Sequence, residues 1–480
     1  MFEAVSAFFD WHWVRMVVLT IYVLSVVGIT IVIISENRNP VKSLAWVTVL
    51  FLFPAVGLIL YLFFGRNIRN TRKVSRRFKR RLARSTAPHT SDYESLGLSP
   101  ESLQQITLGA NISDAQLYSV NDVEVFTNGT DKFARLQEDI RSACHYINIQ
   151  YYIIEDDRIG NIIGDLLLER VDAGVTVRVI YDHVGSFKIR NKLFKRLAAG
   201  GVQIYPFFEV TFPQFGTRIN WRNHRKICVI DGVIGYIGGM NIADRYISGG
   251  NFPSWRDTHL RIEGPAVAAL QYSFAVDWHF MGKEPIAEVA GGKPAAKPSI
   301  YAQLLTSGPS SQWTNIAFMF HQAIAAARRR IYIQTPYFLP TDALLKDLIT
   351  AALARVDVRV MLPAKSDSNL LDFASASYIS ECLRAGVKFY FYKAGMLHSK
   401  CIIIDDEFTT VGSTNFDFRS FEHNFEANIF IYSKKFNERM LSVFRSDMEQ
   451  SQRITLTQWR KRSIIRRATE SVVRLLSPIL

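Results

Sequence analysis

The 480-residue chain repeats itself, and the repeat restricts its possible folds more than any other feature. Tyr146 to Ile154 (YINIQYYII) matches Ile331 to Leu339 (IYIQTPYFL), Val175 to Ile180 matches Val356 to Met361, and Ala199 to Tyr205 matches Ala385 to Tyr390. In each copy, runs rich in β-branched and aromatic residues alternate with helical stretches, the pattern of strands buried beneath helices. Two α/β halves with helix-covered sheets are therefore expected, related by a pseudo-twofold axis and spanning 109–290 and 299–455. A linker at 291–298 (GGKPAAKP), rich in Gly, Pro and Ala, separates them.

Each copy contains the same spaced set of polar residues. NHRKICVIDGVIGYIGGMN begins at Asn223 and HSKCIIIDDEFTTVGSTN begins at His398, so that His224, Lys226, Asp231, Gly238 and Asn241 answer to His398, Lys400, Asp405, Gly412 and Asn415. On a strand, residues two apart face the same way, so each His shares a side with its Lys while ICVI or CIII anchors the strand in the core. Two such strands meeting across a pseudo-twofold axis bring two imidazoles and two ammonium groups into one pocket.

That pocket suits a phosphodiester. Lysines and asparagines can hold the non-bridging oxygens while negative charge builds at phosphorus. One imidazole can attack phosphorus and the other can protonate the leaving alkoxide. Chemically identical groups in opposite protonation states each need a partner that fixes tautomer and charge. Asp257, 33 residues after His224, and Glu426, 28 residues after His398, form a symmetric pair for that task. Asp231 and Asp405 each end a strand, which suits a structural acid better than a proton carrier.

Two uncharged runs precede the repeat, 19 residues at Met16–Ile34 and 21 at Leu44–Phe64. Each reaches about 30 Å as a helix, the thickness of a bilayer's hydrocarbon core. The short connection between them makes residues 1–65 a transmembrane hairpin. Beyond it, 66–108 reads as a basic juxtamembrane linker in which Arg66–Arg84 carries ten Lys/Arg and no acid. The positive-inside rule puts this segment, and with it the catalytic halves, in the cytoplasm. At the other end, 456–480 forms a basic helix with apolar residues at helical spacing, which suits either a membrane surface or packing on the core. These two basic stretches carry +10 and +5 of a formal net charge of +14, so the rest of the chain nets −1. Such a distribution favours anionic lipid and a membrane over nucleic acid.

The paired motifs resemble HxKxxxxDxxxxxxGSxN of the phospholipase D superfamily. With PVKSLAW at the start of the second apolar run and LYLFFG at its end, the whole chain is similar to the bacterial cardiolipin synthases. The resemblance implies a phosphohistidine intermediate and exchange between two phosphatidylglycerol molecules to give cardiolipin and glycerol. It implies catalytic roles for His224, Lys226, Asp231, His398, Lys400 and Asp405, with His224 as nucleophile and His398 as acid and then base. Asn241, Asn415, Ser413, Asp257 and Glu426 are expected to support them. One departure is Gly239, which stands where the pattern has Ser. The implied location is the inner membrane, multi-pass.

A phospholipase D-type hydrolase, or another phosphatidyltransferase such as a phosphatidylserine synthase, would use the same residues with a different acceptor. One phosphodiester is broken and one made, so no cofactor is expected, and neither GxxxxGK[ST] nor GxGxxG occurs. No metal site is expected. Cys144, Cys228, Cys382 and Cys401 lack metal-ligand spacing and read as small buried hydrophobes. The aromatic segment Tyr205–Trp221 is expected either to border a lipid entrance or to fill the core.

Overall fold

A computed structural model describes residues 11–35, 40–61, 74–75, 82, 89–90, 92–186, 192–209, 220–286, 292–475 and 477. Most of Arg66–Arg84, and Phe212 and Phe215 of the aromatic segment, lie outside the described residues.

The chain divides into two compact units, one formed by 1–67 with 210–220, the other by 68–209 with 221–480. In the first unit, Trp11–Ser35 is an unbroken 25-residue apolar helix. It is the one described helix long and apolar enough to cross a membrane. The second expected span differs from expectation. It is broken into Pro40–Leu52 and Pro54–Leu60. Pro54 is the cause: it has no N–H to donate to a continuing helix and is tolerated in a first turn, so a helix restarts there. Ile33, Leu50 and Tyr61 pack together as a small apolar cluster within this unit.

The second unit carries the repeat. The sheet of the first half runs in the order Asp122–Phe126, His259–Glu263, Ile234–Gly238, Ile227–Ile230, Tyr146–Tyr151, Thr176–Asp182 and Gln203–Phe207. The second half reproduces all seven as Tyr301–Ser307, Glu426–Tyr432, Phe408–Gly412, Cys401–Ile404, Arg330–Gln334, Asp357–Pro363 and Lys388–Tyr392. Leu117–Ser119 and Ser451–Ile454 extend this second sheet at its two edges. Leu117–Ser119 thus precedes the first sheet in sequence yet pairs with the second. Helix Pro100–Ser113, which runs from the expected linker into the expected first half, also packs against the second half through helix Asn315–Ala326.

Helices begin where the side chains of Asn128, Asp157, Thr341, Ser368 and Ser433 accept a first-turn backbone N–H. One apolar core draws on both sheets, joining Val229, Ile237 and Leu260 to Ile403, Val411 and Ile429. Separate cores lie under the helices of each half. The motif strands Ile227–Ile230 and Cys401–Ile404 are buried along their whole length. Their polar flanking residues are thereby held at the ends of the central strands, where the halves meet.

Candidate active site

Two short pairings stitch the halves together. Met396–Leu397, just before His398, pairs in parallel with Trp255–Arg256, just before Asp257. Asn223, just before His224, bridges in parallel to Phe425, just before Glu426. The backbone N–H of His224 donates to the Phe425 carbonyl at 2.9 Å, and that of His398 donates to the Arg256 carbonyl at 2.7 Å. Each histidine is therefore delivered beside the acid of the opposite half. His224 Nδ1 lies 3.0 Å from Glu426 Oε1, and His398 Nδ1 lies 2.7 Å from Asp257 Oδ2.

Nδ1–H donated to a carboxylate leaves Nε2 as the nitrogen available to a substrate. Burial pushes the His224 imidazole down to about 4, against the opposing pull of Glu426, so the ring is neutral with a free lone pair at neutral pH. Burial and then the Lys400 charge lower His398, which Asp257 counteracts. Lys400 Nζ stands 2.8 Å from His398 Nδ1. An ammonium cannot accept a proton, so the Nδ1 proton goes to Asp257. Burial works to raise both carboxyls, but His398 and Lys400 hold Asp257, and His224 and Lys226 hold Glu426, below the usual carboxylate range.

Both lysines sit beneath the histidines, in places the spacing did not anticipate. Lys226 Nζ donates to the His224 carbonyl at 2.5 Å, and Lys400 Nζ donates to that of His398. Both are buried, and burial lowers the pKa of both. They form the floor under the imidazoles and are absent from the cavity lining. The cavity, about 210 Å³, is lined by both histidines and by Asn241 and Asn415.

Its wall has residues that the motif did not reveal. Arg222 comes from the first half, and Tyr337, Asp367, Arg419 and Asn424 come from the second. Tyr152, also lining the cavity, meets the His224 ring edge-on at 5.0 Å. Arg222 was within reach of sequence reading, because WRNH places it two residues before the histidine. Arg419 sits on the short helix Phe418–Glu422, and the others come from loops that the fold alone gathers. Asp182 ends its strand and fixes the WRNH segment: it accepts the Asn223 N–H at 2.8 Å and pairs with Arg222 at 3.2 Å.

Asp231 and Asp405 are not brought to the cavity. Asp231 accepts the backbone N–H groups of Cys144, His145 and Tyr146 at 2.7 to 2.8 Å. Asp405 does the same for Arg328, Arg329 and Arg330 at 2.7 to 3.0 Å. Both adopt left-handed backbone, φ 51° and 48°, which Asp tolerates better than most residues. They tie the end of each motif strand to the start of its neighbour, as a structural acid would, and neither lines the cavity.

Ser413 donates through Oγ to Glu426, so its hydroxyl is committed to the acid. At Gly239, a Cβ would lie 2.1 Å from Asp257 Oδ1, which explains why the first motif lacks the serine. The halves thus support their acids by different means, a hydroxyl for Glu426 and the Thr258 backbone N–H at 2.7 Å for Asp257. Of the four cysteines, Cys144 is exposed, contrary to expectation, and the other three are buried. Phe207 and Phe208, from the described part of the aromatic segment, pack with Phe425, next to the Glu426 acid. No cluster of side chains suited to a metal occurs among the described residues.

Two histidine–acid pairs built across a pseudo-twofold seam on two repeated α/β halves define a phospholipase D-like protein. The family model described as "Cardiolipin synthase, PLD-like domain" matches residues 136–278 and 320–448, and "Phospholipase_D-nuclease N-terminal" matches 21–66. "Cardiolipin synthase 2" of Bacillus anthracis is 39% identical over 459 residues, covering 94% of this chain and 89% of that protein. "Major cardiolipin synthase ClsA" of Bacillus subtilis is 38% identical over 473 residues, covering 96% and 98%. The chain belongs to the cardiolipin synthase family. In fold it is similar to the crystal structure of a phosphatidylserine synthase from Haemophilus influenzae, with a TM-score of 0.61 at 12% identity over 78% of this chain and all of that one.

Proposed function

We propose that the protein is a membrane-bound phosphatidyltransferase that makes cardiolipin and glycerol from two molecules of phosphatidylglycerol. The observation that carries this reading is the pair of buried histidines, each with Nδ1 on an acid of the opposite half, facing one cavity. Membership of the cardiolipin synthase family supports the choice of acceptor.

In the first step, Nε2 of neutral His224 attacks phosphorus, the bond from phosphorus to the headgroup glycerol oxygen breaks, and His398, which starts the cycle protonated on both nitrogens, gives its Nε2 proton to that oxygen. Glycerol leaves and a phosphatidyl group remains on His224. In the second step, neutral His398 takes the proton from a glycerol hydroxyl of a second phosphatidylglycerol. That oxygen attacks phosphorus and the bond to His224 breaks. One P–O bond is lost and one gained, so no external energy source enters. On this reading Asn241, Asn415, Arg222 and Arg419, which line the cavity, hold the phosphoryl oxygens, and the buried Lys226 and Lys400 bias the site toward anions from below.

The 25-residue apolar helix Trp11–Ser35 anchors the chain in the membrane, and the Pro54-broken segment completes a second crossing or a re-entrant return. The basic run Arg66–Arg84 places the catalytic unit on the cytoplasmic face. Supplying purified full-length protein with phosphatidylglycerol in detergent and identifying the products tests the assignment. Equimolar glycerol and cardiolipin support it; phosphatidic acid as the main product would make the protein a hydrolase.

A further inference from the structure

The C-terminal helix Ile464–Arg474 turns its apolar face away from the protein. Ile464, Ile465, Val472 and Leu475 are 73, 76, 64 and 79% exposed, and Ala468 between them is exposed as well. At about 100° per residue these five positions fall within one arc of roughly 100°, and the buried Glu470 and Val473 lie on nearly the opposite side. A soluble helix shows the reverse arrangement, with its apolar stripe against the core.

The helix is nevertheless seated on the second half, where Val473 joins the apolar core, and polar contacts brace it. Arg462 donates to Glu470 at 2.5 Å and Arg466 pairs with the same carboxylate at 3.3 Å. The Arg474 guanidinium stacks 4.3 Å over the Tyr378 ring of helix Asn369–Ala385. Glu470 is the helix's one acid and these pairs bury it, while Arg460, Lys461 and Arg467 remain exposed. The outward surface is therefore aliphatic with a cationic border. Helix Asn369–Ala385, on which it rests, also lines the catalytic cavity through Leu371. The C-terminal helix thus packs on an element that also forms part of the cavity wall.

We propose that this helix is an interfacial membrane element that lays its aliphatic face into the acyl boundary of an anionic leaflet and seats the mouth of the cavity there. Charge complementarity selects lipid as the occupant: an apolar strip bordered by cations and free of exposed acid matches anionic headgroups over acyl chains. A strip one helix wide is also well short of the roughly 800 Å² per partner that a stable protein interface buries. The proposal adds a second, independent membrane contact to the anchoring helix assigned above.

The test uses the full-length protein in vesicles on a Cys144→Ser background, since Cys144 is the one exposed thiol among the described residues. Ile465→Cys or Val472→Cys is labelled with an environment-sensitive fluorophore, and the vesicles carry a lipid with a quencher on its acyl chain. The bilayer is phosphatidylcholine alone or phosphatidylcholine with phosphatidylserine, an anionic lipid without the glycerol headgroup. Quenching at both positions, stronger with phosphatidylserine, is expected, and it does not depend on catalysis. Probes that stay unquenched in anionic vesicles overturn the proposal, and probes that become shielded without quenching assign the face to a protein. In the double variant Ile465→Asp, Val472→Asp, the rate on bilayer phosphatidylglycerol relative to that on a monomeric short-chain analogue is expected to fall about tenfold or more; an unchanged ratio contradicts it.

Discussion

His224 and Glu426 are 202 residues apart and belong to different halves, yet the imidazole Nδ1 lies within 3.0 and 3.1 Å of both carboxylate oxygens. His398 and Asp257 form the mirror pair. Neither half contains a complete histidine–acid unit, so the site exists only when the two sheets are docked.

The crossed pairing assigns each acid to one histidine. Glu426→Gln keeps the shape but removes the charge that fixes the His224 tautomer, and turnover is expected to fall by about 10² to 10⁴. In single-turnover measurements this loss appears in formation of the phosphoenzyme. Asp257→Asn should spare that step when the leaving group needs no proton. Equal damage by both variants with such a leaving group would place the acids otherwise.

The pH dependence follows from the burial of His224. A histidine lowered to about 4 is neutral, and so able to attack, at every pH above that value. With a p-nitrophenyl phosphodiester, which leaves without a proton, labelling of the enzyme should stay flat from pH 8 to pH 5 and fall to half near pH 4. A half-point near 6.5 would mean that the imidazole is not held in a desolvated environment.

Gly239 offers a steric test. Gly239→Ser restores the superfamily's residue but drives a Cβ onto the Asp257 carboxylate, and we expect about a hundredfold loss of turnover or more through displacement of the acid. Ser413→Gly, the reverse change in the other half, removes a hydroxyl from Glu426 without adding bulk and should cost only about tenfold. Steady-state rates for the two variants check the order, and a harmless Gly239→Ser contradicts the geometry.

Asp231 and Asp405 should reveal themselves in stability. Replacing either by Ala orphans three backbone N–H groups, and a loss of about 2 to 4 kcal/mol is expected. Thermal melts in detergent measure it. Well below the melting temperature the rate should stay within a few-fold of the parent; an inactive but fully stable Asp231→Ala protein would place the acid in the chemistry.

The repeated strands, the two histidines and the motif acids were legible because runs of β-branched and aromatic residues and fixed spacing are local properties. The three strand pairs and the motif strands read from the sequence recur in the structure, and three further pairs complete the seven-stranded repeat. The crossing of Glu426 to His224 was not legible, since it depends on the bridge between Asn223 and Phe425, a contact between segments 202 residues apart. The spacing put Lys226 and Lys400 on the histidine side of their strands but gave no depth, and the structure places them under the imidazoles. Pro54 was visible, yet an apolar run by itself does not show that a helix will restart there. The apolar stripe of the C-terminal helix reads the same whether it faces core or lipid, and only the burial of Glu470 and Val473 tells which side packs.

The central claim is that one site, shared between the halves, works through attack by His224 and proton transfer by His398. The most direct measurement is covalent trapping in a His398→Ala protein, using a phosphatidyl ester whose leaving group needs no acid and whose phosphorus is radiolabelled. Without a base to activate the second alcohol, the label should accumulate on His224 at one per chain, and the His224→Ala protein should take up none. Label recovered on His398 in the parent protein, or undiminished labelling of His224→Ala, would contradict the account.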